Sequence, residues 1–193
     1  MLLFMIRHGE TTGNVAKIFY GQDDLPLTEN GIRQAESLRP LLGRYTFDRV
    51  YASDLSRAVA TAKAALPECD PIPTPLLREY AMGSITGMTF TDVYARYGHP
   101  NCHYERFGGE SPEDMLERLR TFLAQLEADP CRCAAAFVHS GTMKTMVSLV
   151  LDTQYRTTGL QSTNCNVAVF RFDGKNWSLA AWNLAGDLEG ANV

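Results

Sequence analysis

The chain opens on an apolar run, Leu2-Leu3-Phe4-Met5-Ile6, that stops abruptly on Arg7, His8 and Gly9. So short a run cannot span a bilayer, and it is too apolar for a surface loop. It therefore reads as a buried strand of a parallel sheet. Gly9 permits a sharp exit at its end. Ligands of open parallel sheets gather beyond the carboxyl ends of the strands, which puts Arg7 and His8 where chemistry is expected. An isolated Arg-His-Gly is equally compatible with a surface turn, so the rest of the chain has to decide.

Length and composition narrow the class. With 193 residues, 45% hydrophobic and 21% charged, the chain is long enough to bury a core as a single domain over 1–193. Eighteen Lys and Arg stand against 22 Asp and Glu, a formal net charge of -4, which argues against a nucleic-acid partner and requires any anion site to be local. There is no basic leader and no run of transmembrane length, so a cytoplasmic location without a membrane partner is expected. Of five cysteines only Cys131 and Cys133 are close, without a neighbouring histidine or second pair. All five read as reduced thiols, and no metal site is expected.

After the first strand, Thr11 to Leu27 is polar, glycine-containing and without clean periodicity, the composition of a loop around a site. Thr28 caps an expected helix with Ile32, Ala35, Leu38, Leu41 and Leu42 on its apolar face, stapled by Leu27 and ended by Gly43. Phe47 to Ala52 reads as a second strand, and Ser53 or Asp54 opens a helix that Pro67 closes. The proline-dense Asp70 to Pro75 permits only an edge strand or a connector. Leu76 to Gly109 is irregular, with a short helix over Phe90 to Tyr97. Ser111-Pro112-Glu113-Asp114 is a strong helix start. Ala134 to Val138 is another buried strand ending on histidine, His139, with a helix from Gly141 to Leu151. Val167 to Phe172 and Trp177 to Trp182 alternate as a hairpin. The pattern predicts an α/β fold: a three-layer α/β/α sandwich with a mostly parallel central sheet, helices on both faces and a small cap formed by insertions at 11–27 and 76–110.

Two strands thus end on histidine, and Arg57 lies near the start of the helix after the second strand. If those strands are neighbours, Arg7, His8, Arg57 and His139 converge in an otherwise acidic protein, and a phosphate dianion is the ligand that suits such crowding. Helix amino termini after Ser53 and Gly141 would aim further N–H groups at it.

These residues resemble the histidine phosphatase superfamily, the phosphoglycerate-mutase-like group. The match is carried by Arg7-His8-Gly9-Glu10-Thr11 with Asn14, by Ser53-Asp54-Leu55-Ser56-Arg57-Ala58 with Thr61-Ala62, by Leu77-Arg78-Glu79 with Gly83 and Gly87, and by Phe137-Val138-His139, in the family's order. The Gly108-Gly109-Glu110-Ser111 turn and the length are similar to its α-ribazole and broad-specificity phosphatases. The resemblance implies a phosphatase for a small phosphomonoester, with His8 as a nucleophile that becomes a phosphohistidine and Glu79 as general acid. It implies Arg7, Arg57 and His139 on the phosphoryl oxygens, Asn14 contributing an amide, and Tyr20, Gly21, Gln22 and Ser140 facing substrate. It implies no cofactor and no metal. Arg7 and Arg57 disfavour a proton on His8, whose pKa is expected below the ordinary value of about 6.5. A carboxyl beside a phosphate dianion is in turn pushed towards its protonated form. Glu10 and Thr11 read as structural.

Two departures stand out. Ser140 occupies the position after the second histidine where the family usually has glycine, and the segment Gly83 to Gly87 lacks the family's acid and tryptophan. The alternatives left open are a phosphoglycerate-type mutase and a non-catalytic phospholigand-binding module. A homo-oligomer is also left open.

Overall fold

The computed structural model of the chain describes residues 1–154 and 159–184. Its first strand, β1 (Leu2–Arg7), is covered on both faces: Leu3, Phe4, Met5 and Ile6 are no more than 1% exposed. Successive side chains of a strand point to opposite faces, so a strand apolar at every position has to be a central one. Among the described residues the sheet has six strands in the order β3-β2-β4-β1-β5-β6. They are β2 (Arg49–Ser53), β3 (Ile72–Thr74), β4 (Cys133–Val138), β5 (Val167–Phe172) and β6 (Trp177–Leu184). Pairing is parallel from β3 across to β1 and antiparallel through the β5–β6 hairpin.

Helices form the outer layers. Leu3 and Met5 pack with α6 (Pro112–Ala128) and α7 (Ser140–Leu151). Phe4 and Ile6 pack with α2 (Glu29–Glu36), α3 (Arg39–Leu42) and α4 (Ser56–Ala65). A one-turn helix α1 (Thr12–Ala16) follows β1, and α5 (Phe90–Tyr97) lies in the long segment between β3 and α6. No helix among the described residues is long and apolar enough to cross a membrane.

The bounds of α5 agree with those expected from sequence, and α6 starts where the Ser111 capping box with Pro112 puts it. Four expectations need correction. The region 11–27 is not all loop, because Thr11 and Asn14 form a reciprocal capping box that nucleates α1. The helix expected from Thr28 to Gly43 is two helices, since Pro40 has no N–H for the Glu36 carbonyl and the ladder must restart. Ile32, expected in the core, is 44% exposed. The helix after β2 begins at Ser56 rather than at Ser53 or Asp54. Ser53 is the last residue of β2, Asp54 is taken by Arg78, and the Ser56 amide is met by the distant Asp24 carboxylate at 2.8 Å. A tertiary partner replaces the local cap.

The turn after His8 rests on the first turn of α2. A Cβ on Gly31 would meet the Glu10 carbonyl oxygen at 2.1 Å, and a Cβ on Gly9 would meet the Gly31 oxygen at 2.3 Å. Helix propensity alone predicts that Gly31→Ala stabilises by about 1 kcal/mol. Packing predicts the reverse sign: Gly31→Ala should destabilise by about 1–3 kcal/mol by displacing the His8 turn, as thermal unfolding would show.

Candidate active site

The β1–β4 register sets Arg7 beside Val138, so His8 and His139 leave neighbouring strands side by side with ring centroids 5.2 Å apart. The His8 amide continues the ladder by donating to the Val138 carbonyl at 2.9 Å. His8 Nδ1 lies 2.7 Å from the Gly9 carbonyl oxygen, which can only accept, so Nδ1 carries the proton and Nε2 keeps its lone pair. Gly9 is held in turn by Thr61, whose hydroxyl oxygen accepts from the Gly9 amide at 3.0 Å.

Arg57, the second residue of α4, is wholly buried. Its Nη2 donates to the Gly21 carbonyl at 2.6 Å, its Nη1 to the Asp23 carbonyl at 2.8 Å and its Nε to His139 Nδ1 at 3.2 Å. Its guanidinium carbon lies 4.8 Å from the centre of the Tyr20 ring. Because Arg57 donates to His139 Nδ1, the His139 proton is on Nε2, and that buried N–H has no partner among the described residues. Arg7 gives Nη1 to the Ser162 carbonyl, and its buried Nε is likewise unpartnered.

Burial holds the His8 imidazole well below its ordinary pKa, helped by Arg7 and then Arg57. The sequence alone points to the arginines as the cause, because desolvation has no value before the chain folds. His139 is depressed in the same way, by burial first and Arg57 next. Both rings are therefore neutral at neutral pH. Burial also lowers Arg7 and Arg57 from their ordinary range.

Glu79 approaches from the segment after β3 and is 9% exposed. Its Oε1 accepts from the Tyr80 amide at 3.0 Å and its Oε2 from the Gly141 amide at 2.9 Å. A Cβ on Gly141 would meet Glu79 Oε1 at 2.2 Å, so a side chain there would displace the carboxylate from its present place. This corrects the expectation for helix termini: the Gly141 amide serves Glu79, and the Ser56 amide serves Asp24.

Arg7, His8, Asn14, Tyr20, Gly21, Arg57, Glu79 and Ser140 line one cavity of about 280 Å³. The Asn14 side-chain oxygen accepts from Thr11 and from Asn164, which turns its amide nitrogen to a different use. His139 does not line the cavity, although its ring packs against that of His8. Gln22 does not line it either. Its amide donates to the Glu79 carbonyl at 3.0 Å, so it braces the Glu79 peptide. Glu10 and Thr11 serve the loops, Glu10 accepting from Thr28 and Thr11 donating to Asn14 and Tyr20.

Sequence reasoning missed several cavity residues. Lys144 lies one turn after Ser140 on α7, a spacing that could have flagged it. Phe19, Phe90, Tyr94, His99 and Tyr104 carry no motif and were invisible. Among the described residues no three His, Cys, Asp or Glu side chains group as a metal would need.

The profile of the histidine phosphatase superfamily, branch 1, matches residues 3–185. The chain belongs to this family. It is 31% identical over 167 residues to the adenosylcobalamin/alpha-ribazole phosphatase of Salmonella typhimurium, covering 78% of this chain and 80% of that one. It is also 32% identical over 170 residues to a 2,3-bisphosphoglycerate-dependent phosphoglycerate mutase of Methylobacterium radiotolerans, covering 78% and 79%. Among solved structures, mycobacterial glucosyl-3-phosphoglycerate phosphatase in complex with VO3 superimposes with a TM-score of 0.85 at 27% identity, covering 95% of this chain and 99% of that one. The six-stranded sheet with helices on both faces is thus the fold of the family.

The neutral rings have a consequence for stability. In the unfolded chain both histidines take up protons below pH about 6.5, whereas in the fold they resist protonation, so the unfolded state binds more protons there. Stability present at neutral pH should fall as the medium is acidified, by roughly 1 kcal/mol per pH unit for each ring. Urea unfolding compared at about pH 7 and about pH 5 tests it, and a flat profile would contradict two neutral buried imidazoles.

Proposed function

We propose that the chain is a metal-independent phosphatase for a small phosphomonoester. The observation that carries this reading is the tautomer of His8: Nδ1 is tied to the Gly9 carbonyl and the ring is held neutral, so the Nε2 lone pair is available beside two guanidinium groups. In the first step Nε2 forms a bond to phosphorus as the ester P–O bond breaks, and the departing oxygen takes the proton of Glu79. In the second, the Glu79 carboxylate takes a proton from water, whose oxygen attacks phosphorus while the N–P bond breaks and returns its electron pair to Nε2.

Arg7 and Arg57 supply donors for the phosphoryl oxygens from the cavity wall, where Asn14 and Ser140 also lie, and the buried His139 Nε2–H, unpartnered in a ring packed against His8, adds a donor from outside the lining. Arginine suits this because its fork meets two oxygens at once. A mutase has to hold a phosphoglycerate carboxylate in two orientations, and outside the phosphate end the cavity offers Lys144 as its lysine or arginine cation. That supports hydrolysis over mutase chemistry. A module that only binds phosphate would need neither a neutral nucleophile nor a facing carboxyl.

Turnover of an aryl phosphate should persist in excess chelator and vanish in His8→Ala, and acid-labile phosphate should be trapped on His8 by rapid denaturation. Glu79→Gln should slow alkyl esters about a hundredfold and nitrophenyl esters much less, because a good leaving group needs no proton. Undiminished hydrolysis by His8→Ala, or strict dependence on an added divalent metal, would refute the reading.

A further inference from the structure

Beyond its phosphate end the cavity is walled by rings. Phe90 and Tyr94, one turn apart on α5, lie nearly parallel with centroids 6.3 Å apart and 18° between planes. His99 continues the stack beside Tyr94 at 5.0 Å and 22°. Phe19 meets Phe90 edge-on at 4.8 Å and fixes the inner end of the row. All four line the cavity, yet Tyr94 remains 43% exposed. A large ring left open at the wall of a cavity gains more from a ligand than from the protein around it. Lys144 also lines the cavity and makes no ion pair among the described residues.

From this wall we infer that the alcohol half of the substrate carries a flat aromatic ring, seated along Phe90, Tyr94 and His99, and that Tyr94 is a specificity-determining residue. The inference rests on the phosphatase reading, which places the ester oxygen at Glu79 and so turns the alcohol half towards these rings. A sugar or glycerate brings hydroxyls and a carboxylate that need partners when desolvated, and an aromatic wall supplies few. An aromatic group buries apolar surface, adds offset stacking, and offers its face or a rim acceptor to the ammonium of Lys144.

The test compares 2-(1-naphthyl)ethyl phosphate with ethyl phosphate. Both leave as primary alkoxides, so both make the same demand on Glu79 and the ratio of kcat/KM isolates the ring. The naphthyl ester should be favoured at least about tenfold, chiefly through KM, and Tyr94→Ala should cut the preference to about threefold or less. The ratio is taken within each variant, so loss of folded protein cancels. Equal efficiencies, or a preference for 3-phosphoglycerate that Lys144→Ala removes and Tyr94→Ala does not, would overturn the aromatic assignment. Calorimetric affinities of His8→Ala for the two esters separate the two readings. A retained naphthyl preference supports the ring site even if turnover is lacking, and equal affinities overturn it even if turnover is present.

Discussion

A guanidinium wholly withdrawn from water is the constraint around which this fold is arranged. Arg57 is the largest fully buried side chain among the described residues. A buried cation is tolerated only when its N–H groups are met and its charge is faced by dipoles. Here the carbonyls of Gly21 and Asp23, the lone pair of His139 and the face of Tyr20 do this together. Each comes from a segment with no regular structure of its own or from the end of a strand, so one side chain on α4 ties the loop at 20–24 to the rim of the sheet. The same contact sets the tautomer of His139 and leaves its Nε2–H unpaired. A site that concentrates positive charge in a net acidic protein is thereby held open by the protein's own carbonyl oxygens.

Glu79 is anchored by a second network, and it joins the first through Gln22. The Arg78 fork meets both oxygens of Asp54 at 2.7 Å, and the Arg78 carbonyl accepts from Thr142 at 3.0 Å. Arg118 donates to the Leu76 carbonyl at 2.7 Å and grips Glu110 through Nε and Nη2. Gln22, from the loop that Arg57 pins, holds the Glu79 carbonyl. The peptide of Glu79 is thus fixed from both sides while its carboxylate rests on two backbone amides. Several of these charges are partly exposed, so their contribution lies more in geometry than in stability. The proposed proton transfer needs such geometry, because Glu79 would have to lie within hydrogen-bond reach of the leaving oxygen.

How much could be read beforehand depended on how local the cause was. The core position of β1 follows from five adjacent apolar residues, and the start of α6 from the Ser111-Pro112 cap, both of which act within a few residues. The bounds of α5 are set by the Thr89 cap and by Gly98 at positive φ, again local. The break between α2 and α3 was also local, since Pro40 was visible, but the helical spacing of Leu38, Leu41 and Leu42 hid it. The start of α4 was not local at all. Asp24 supplies the oxygen that Ser53 or Asp54 was expected to give, from thirty-two residues away.

The amino-acid order alone therefore determined which groups exist and where along the chain they occur: two histidines closing apolar runs, Arg7 beside the first of them, Arg57 near the start of a helix, and Glu79 ahead of the glycine-flanked segment 83–87. Hydrophobic periodicity and capping need only near neighbours, so that much is decided before the chain folds. Tertiary structure alone decided which nitrogen of each imidazole carries a proton, that the Gln22 amide is held by the Glu79 carbonyl, and that rings from 19, 90, 94 and 99 share a wall. Those outcomes depend on desolvation and on partners remote in sequence, and neither quantity has a value until the layers close around the site.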